Sequence, residues 1–146
     1  IREVLIMVHH LGRYADRIVT FDCDRRIVAE VNAAQLKQVI LNLIANGLQA
    51  TTSGGRVTVR LLEQVDSIVI AIEDDGSGMD EDTLHHVFDP FFTTKEAGQG
   101  TGLGLSITHR IIENHAGTIT PLSNGPGCGS TFQIRLPKRQ PQSWAA

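Results

Sequence analysis

Apolar positions recur with two different periods along this chain, and the switches between the two predict its elements. Val4, Leu5, Val8 and Leu11 fall at helical spacing, so a helix is expected over residues 1–15. Residues 17–23, with Ile18, Val19 and Phe21, read as a short strand, and so do residues 26–31. Leu36, Val39, Ile40, Leu43, Ile44 and Leu48 form a broad stripe, which predicts a helix from Asn32 or Ala33 to Ala50. Turn residues from Thr51 to Gly55 end it. Two period-two runs follow, Val57, Val59, Leu61 and then Ile68, Ile70, Ile72, as expected of a half-buried hairpin. A short helix is expected after Asp80, then a glycine-rich irregular stretch over 88–102 and a helix from Leu103 to His115. Strands over 117–121 and 130–136 close the pattern. Interleaved strands and helices with hairpins predict a two-layer α/β sandwich, a mixed sheet with helices on one face.

The chain has 146 residues, the size of one domain. A domain over 1–137 and a frayed tail over 138–146 are expected. A formal net charge of −3 offers no basic footprint, which argues against nucleic acid and anionic membrane as partners. Cys23 and Cys128 are too few and too far apart for a disulfide scaffold, and free thiols suit a reducing cytoplasm. The apolar runs are too short to span a membrane. The chain begins at Ile1, already in helical periodicity, so a longer parent, membrane-anchored or not, is expected.

Four stretches carry candidate chemistry. Asp74 shares the parity of Ile68, Ile70 and Ile72, so its carboxylate should turn toward the apolar layer just before Gly76-Ser-Gly78. A buried carboxylate needs donors. Either a ring amino group such as that of adenine supplies one, or Asp74 caps the backbone of an acidic turn. Asn42 and Asn46 lie four apart on one helix face. Their amide oxygens suit a hard cation such as magnesium, or they are surface asparagines. Gly47 marks a close approach by a ligand or a tight helix–sheet contact. Gly98 to Gly104 leads into a helix start, an arrangement that cradles phosphate or serves as a hinge with no ligand; it is neither a Walker loop nor a dinucleotide fingerprint. Phe88-Asp-Pro-Phe-Phe-Thr-Thr-Lys95 combines aromatics with loop residues as a lid does, and Lys95 is placed to reach phosphate oxygens. Phe88 is expected to pack in the core.

These blocks, in this order, resemble the nucleotide-binding boxes of the histidine-kinase branch of the GHKL ATPases. Asn42 and Asn46 fall in the asparagine box, and Asp74, Gly76 and Gly78 in the first glycine box. Phe88–Phe92 resembles the phenylalanine box, and Gly100, Gly102 and Gly104 belong to the second glycine box. Gly127-Cys-Gly-Ser-Thr131-Phe is similar to the closing glycine–threonine strand. The resemblance implies a Bergerat-type fold that binds ATP with Mg2+. Asp74 would receive the adenine amino group, Asn46 would hold the metal, and Asn42 would support it or the phosphates. Lys95, Gly100, Thr101, Gly102, Leu103, Gly104 and Leu105 would contact nucleotide, and Thr131 would touch the adenine side. Hydrolysing relatives place a glutamate where Asn42 stands, so the amide there fits a kinase better than an ATPase. Two positions depart from the pattern: Gln49 stands where many members have a basic residue, and Gly47 where alanine is usual.

The acceptor histidine of that family sits in a separate hairpin domain. His9, His10, His85, His86, His109 and His115 lack its sequence context and are expected to be structural or surface residues. The chain is therefore expected to be a monomeric catalytic domain of a bacterial two-component kinase. It would pass the γ-phosphate of ATP to a partner domain's histidine, with a response regulator downstream. A serine kinase of the anti-sigma type and a nucleotide-sensing module without chemistry are the competing readings.

Overall fold

The computed structural model describes residues 1–9, 14–23, 25–95 and 100–140. Its five strands are β1 (Ile18–Asp22), β2 (Arg56–Glu63), β3 (Ser67–Asp74), β4 (Thr118–Leu122) and β5 (Ser130–Pro137). They form one sheet in the order β1-β2-β3-β5-β4. β1 runs parallel to β2 and the other neighbours are antiparallel, so the sheet is mixed as expected. The helices are α1 (Arg2–His9), α2 (Ala33–Ala50), α3 (Glu81–His86) and α4 (Gly104–Asn114). α2 packs on β2 and β3, α4 packs on β4, and α2 and α4 also pack on each other.

Alternation in the strands builds the core. Cross-strand rows such as Val59–Ile72–Phe132 turn their side chains to the helices. They meet Val39, Ile40, Leu43, Ile44 and Leu48 of α2 and Ile112 of α4, all buried. The opposite sheet face carries polar pairs, including Arg60 with Glu73 and the Thr20–Thr58 hydroxyls at 3.1 Å. The last inward row at one end of the sheet is Val57–Asp74–Ser130. Placing a carboxylate in that row is what locates the functional site.

Three expectations need correction. The first helix is seen only to His9; residues 10–13 lie outside the described residues, and Tyr14–Arg17 is a turn closed by Arg17 N–H to Tyr14 O at 3.0 Å. Residues 26–31 form no strand. Their link to the sheet runs through Glu30 N–H to Lys138 O at 2.9 Å, too little for a ladder. The tail is held further than expected: Lys138 N–H bonds Asp66 O at 3.0 Å, and Gln140 bonds the Glu30 carboxylate at 3.2 Å. The tail beyond, 141–146, lies outside the described residues.

His115 joins the two main helices. It is 1% exposed at the end of α4. Nδ1 lies 2.7 Å from the Ile111 carbonyl, and Nε2 accepts Asn32 N–H at 3.1 Å, which requires the tautomer with its hydrogen on Nδ1. Asn32 is the N-cap of α2, its side chain accepting from Gln35 N–H. This is the structural role expected of His115. Replacing His115 by Ala opens a cavity and leaves the part-buried Asn32 N–H without its acceptor. A loss of about 2–4 kcal/mol in urea unfolding is expected.

Candidate functional site

The site begins with Asp74, the last residue of β3 and 8% exposed. Its Oδ1 accepts Gly76 N–H at 2.9 Å, and the Ser130 backbone also donates to the carboxylate. Burial pushes the Asp74 carboxyl above the ordinary carboxylate range; the two backbone donors offset part of that, while Asp75 and Glu73 add to it. Asp74 therefore caps its own turn, as one of the two readings expected, and its residue also lines the cleft. Asp75 differs, turning away to accept Arg56 N–H at 2.7 Å.

Two glycine turns close around Asp74. Gly76 leaves room for Ala50, since a Cβ there would stand 2.6 Å from the Ala50 carbonyl oxygen. Gly129 has φ +70°, and any Cβ on it would overlap the Asp74 carbonyl. The turns are stitched together by Gly127 N–H to Ser77 O at 2.6 Å and Gly129 N–H to Gly76 O at 3.1 Å. Gly78 lies on the cleft wall.

α2 supplies the next wall. Asn42 Nδ2 donates to Thr108 Oγ1 of α4 at 2.9 Å. Gly104 makes the space, because a Cβ there would stand 2.6 Å from Asn42 Oδ1. Asn46 Oδ1 receives the Lys95 ammonium at 3.3 Å, and Gln49 Oε1 receives it as well. Gly47 sits against Val57 and Asp74, with a hypothetical Cβ 3.1 Å and 3.3 Å from them, so it serves a helix–sheet contact. Asn46 Oδ1 fits a hard cation. Among the described residues no three His, Cys, Asp or Glu side chains gather as a metal cage. A cation here would take one or two amide oxygens and complete its shell from phosphate and water.

The third wall joins the aromatic segment to α4. Phe88 packs inward on His109 at 4.8 Å and edge-on to Phe132 at 6.2 Å between ring centres. Phe91 is exposed, with φ +68°, and its N–H bonds Gly102 O at 2.9 Å. Gly102 has φ +65°, and a Cβ on it would overlap the Phe91 backbone. The aromatic segment and the second glycine box thus meet backbone to backbone. Leu103 is the N-cap of α4 and makes no side-chain capping bond, so no N-cap side chain competes for the first-turn N–H groups of this 11-residue helix. Gly98 belongs to 96–99, outside the described residues.

These walls enclose a cleft of about 810 Å³, within the usual range for small-molecule sites. Asn42, Asn46, Asp74 and Lys95 all line it, together with Gly100, Thr101, Gly102, Gly104 and Leu105. Gly76 and Leu103 are not among the residues that line it, although Gly76 N–H bonds the Asp74 carboxylate. Thr131 does not reach the cleft and must be corrected. It pairs with Glu73 and Leu122, and the pleat turns it to the opposite sheet face. Ser130, one residue earlier and 8% exposed, holds the place beside Asp74. Parity with Phe132, Ile134 and Leu136 carried that signal. Thr108, which orients Asn42, had no comparable signal, because it acts across two helices.

A two-layer sandwich thus encloses, between its sheet end, two helices and glycine turns, a cleft of small-molecule size. Residues 31–140 match the model of the histidine kinase-, DNA gyrase B- and HSP90-like ATPase family, and the chain belongs to it. Similar curated proteins include sporulation kinase E of Bacillus subtilis (strain 168), 44% identical over 73% of this chain and 14% of that protein. The histidine-protein kinase AtoS of Escherichia coli (strain K12) is 39% identical over 94% of this chain and 22% of its own length. The chain thus spans less than a quarter of these relatives. Among solved structures, the catalytic domain of histidine kinase ThkA superposes with a TM-score of 0.83 at 30% identity, covering 94% of this chain and 91% of that one. A ThkA complex with the response regulator TrrA gives a TM-score of 0.79 at 28% identity, covering 94% of this chain and 39% of that one.

Two predictions follow from this geometry. A carboxyl that is harder to ionise folded than unfolded removes stability as pH rises, because the unfolded chain releases its proton first. Asp74→Asn keeps the acceptor oxygen without the charge. It should raise the ligand-free melting temperature at pH 8, and that gain should shrink toward pH 4. Thr131→Val should leave nucleotide affinity within about twofold by calorimetry, as for a substitution remote from a site.

Proposed function

We propose that this chain is the ATP-binding catalytic domain of a sensor histidine kinase, with residues 1–137 as the catalytic unit. It moves the γ-phosphoryl group of ATP to a histidine on a separate acceptor domain. The observation that carries this reading is Asn42. It stands one helical turn before Asn46 and lines the cleft, yet it is an amide tied to Thr108. An amide has no useful basicity, so nothing at that position activates water. That suits a transferase, whose acceptor brings its own nucleophile.

Each wall of the cleft has a role in this reading. Asp74 accepts the adenine amino group, and Ser130 and the Gly76–Gly78 turn shape that end. Asn46 would hold Mg2+, which when bound offsets charge on the phosphates. The N-terminus of α4 and the Gly100–Gly104 backbone face the phosphates, and Lys95 adds a positive charge there. Phosphoryl transfer asks for positioning and charge neutralisation more than for covalent help from the protein. The acceptor imidazole supplies the lone pair, the bond to the γ-phosphorus forms as the β–γ bridge breaks, and ADP leaves.

The partners proposed are the acceptor-histidine domain of the parent kinase and, downstream, a response regulator, as in the ThkA–TrrA complex. Among the described residues no helix is long and apolar enough to cross a membrane. A cytoplasmic position is proposed, and the net charge of −3 argues against contact of this domain with an anionic membrane. The domain is proposed to be monomeric.

Incubation with Mg2+ and γ-labelled ATP tests the reading. The chain alone should take up no label. Adding the acceptor domain of the parent kinase should yield acid-labile phosphohistidine on that domain. Stable label on this chain, or phosphate release with no transfer to the added acceptor, would contradict it.

A further inference from the structure

Lys95 is the cleft-lining cation of the aromatic segment, and it does not project freely. Its ammonium sits between two amide oxygens of α2, Asn46 Oδ1 at 3.3 Å and Gln49 Oε1. Asn46 and Gln49 are three residues apart, so they share one face of the helix and can hold a single cation between them. At the other end, Lys95 N–H bonds Thr93 Oγ1 at 3.2 Å, and a Cβ on Gly100 would stand 3.2 Å from the Lys95 Cδ. The stem therefore runs beside the second glycine box, and the charge reaches back across the cleft to α2.

Gln49 is exposed, carries no charge and packs in no core. An exposed lysine has about 2 kcal/mol of rotamer entropy to lose when it is fixed. A neutral acceptor on a rigid helix restricts that freedom while leaving the positive charge uncompensated. An acidic residue in the same place would restrict it too, but would cancel the charge that phosphates need.

We propose that Gln49 is a positioning residue for Lys95, keeping its ammonium at the α2 wall when Asn46 Oδ1 is given over to the cation, so that the charge is already in place when the phosphates of a nucleotide arrive. Gln49 then affects nucleotide affinity only through Lys95. This rests on the reading of the Asn46–Lys95 end as the phosphate end.

A double-mutant cycle in the whole chain, read by calorimetry with Mg-ATP, tests it. Lys95→Met should weaken binding roughly 10- to 100-fold, the range for a lost hydrogen bond to a charged group. Gln49→Leu should weaken it roughly 2- to 10-fold, the range for freeing one side chain. In the Lys95→Met background Gln49→Leu should have no further effect, a coupling that a purely structural role would not produce. Gln49→Glu should weaken binding more than Gln49→Leu does. Relocating the charge, with Gln49→Lys and Lys95→Gln together, should recover most of the loss caused by Lys95→Gln alone. Unchanged melting temperatures would assign these effects to the site. Equal losses from Gln49→Leu in both backgrounds, or no loss in either, would overturn the positioning role while leaving the ATP-binding reading intact. No binding of Mg-ATP by the unmodified chain would overturn both.

Discussion

The buried carboxylate of Asp74 is the constraint on which the rest of the site depends. Taking a carboxylate out of water is costly unless donors replace its hydration. Here the backbone donates from Gly76 and Ser130, and burial still raises the pKa. The fold thus retains an acceptor with capacity to spare, facing a cleft. The surrounding glycines follow from that: Gly76 lets the turn press on Ala50, Gly129 lets the neighbouring turn lie on the Asp74 carbonyl, and Gly47 lets α2 approach the base of the same residue.

The two ends of the cleft are built differently. The Asp74 end rests on the sheet, where the row Val57–Asp74–Ser130 is fixed by antiparallel register on both sides of β3. The Lys95 end is made of side chains reaching between elements that share no ladder: Asn42 to Thr108, and Lys95 to Asn46 and Gln49. Such contacts place single side chains from one element against another, without a ladder behind them. In the proposed reading, the sheet-built end receives the base and the end built from side chains receives the phosphates and a cation.

Much of this was legible in the sequence because two periods write themselves clearly. The α2 stripe from Leu36 to Leu48 and the alternation in β2, β3 and β5 predicted the layers and the inward turn of Asp74. Where one backbone bond replaces a ladder, as at Glu30, alternation misled and residues 26–31 were expected as a strand. Thr131 shows the same limit at a single residue. The glycine–threonine likeness pointed to it, whereas the pleat puts Ser130 on the cleft side, and counting parity back from Phe132 would have found it. The Asn42–Thr108 bond and the Lys95–Gln49 contact were not legible, because nothing local in the sequence says which helices face each other across the cleft.

Base discrimination tests the central claim most directly. ATP presents an amino group at the ring position where ITP presents a carbonyl, and the adjacent ring nitrogen, an acceptor in ATP, carries a hydrogen in ITP, while the sugar and phosphates are the same. If Asp74 reads that amino group, calorimetry should show Mg-ITP binding at least about tenfold more weakly than Mg-ATP, since a buried charged acceptor is left facing another acceptor. In Asp74→Asn, whose amide can either accept or donate, the two affinities should converge. Equal affinity of the unmodified chain for ATP and ITP would contradict the account and place the base away from Asp74.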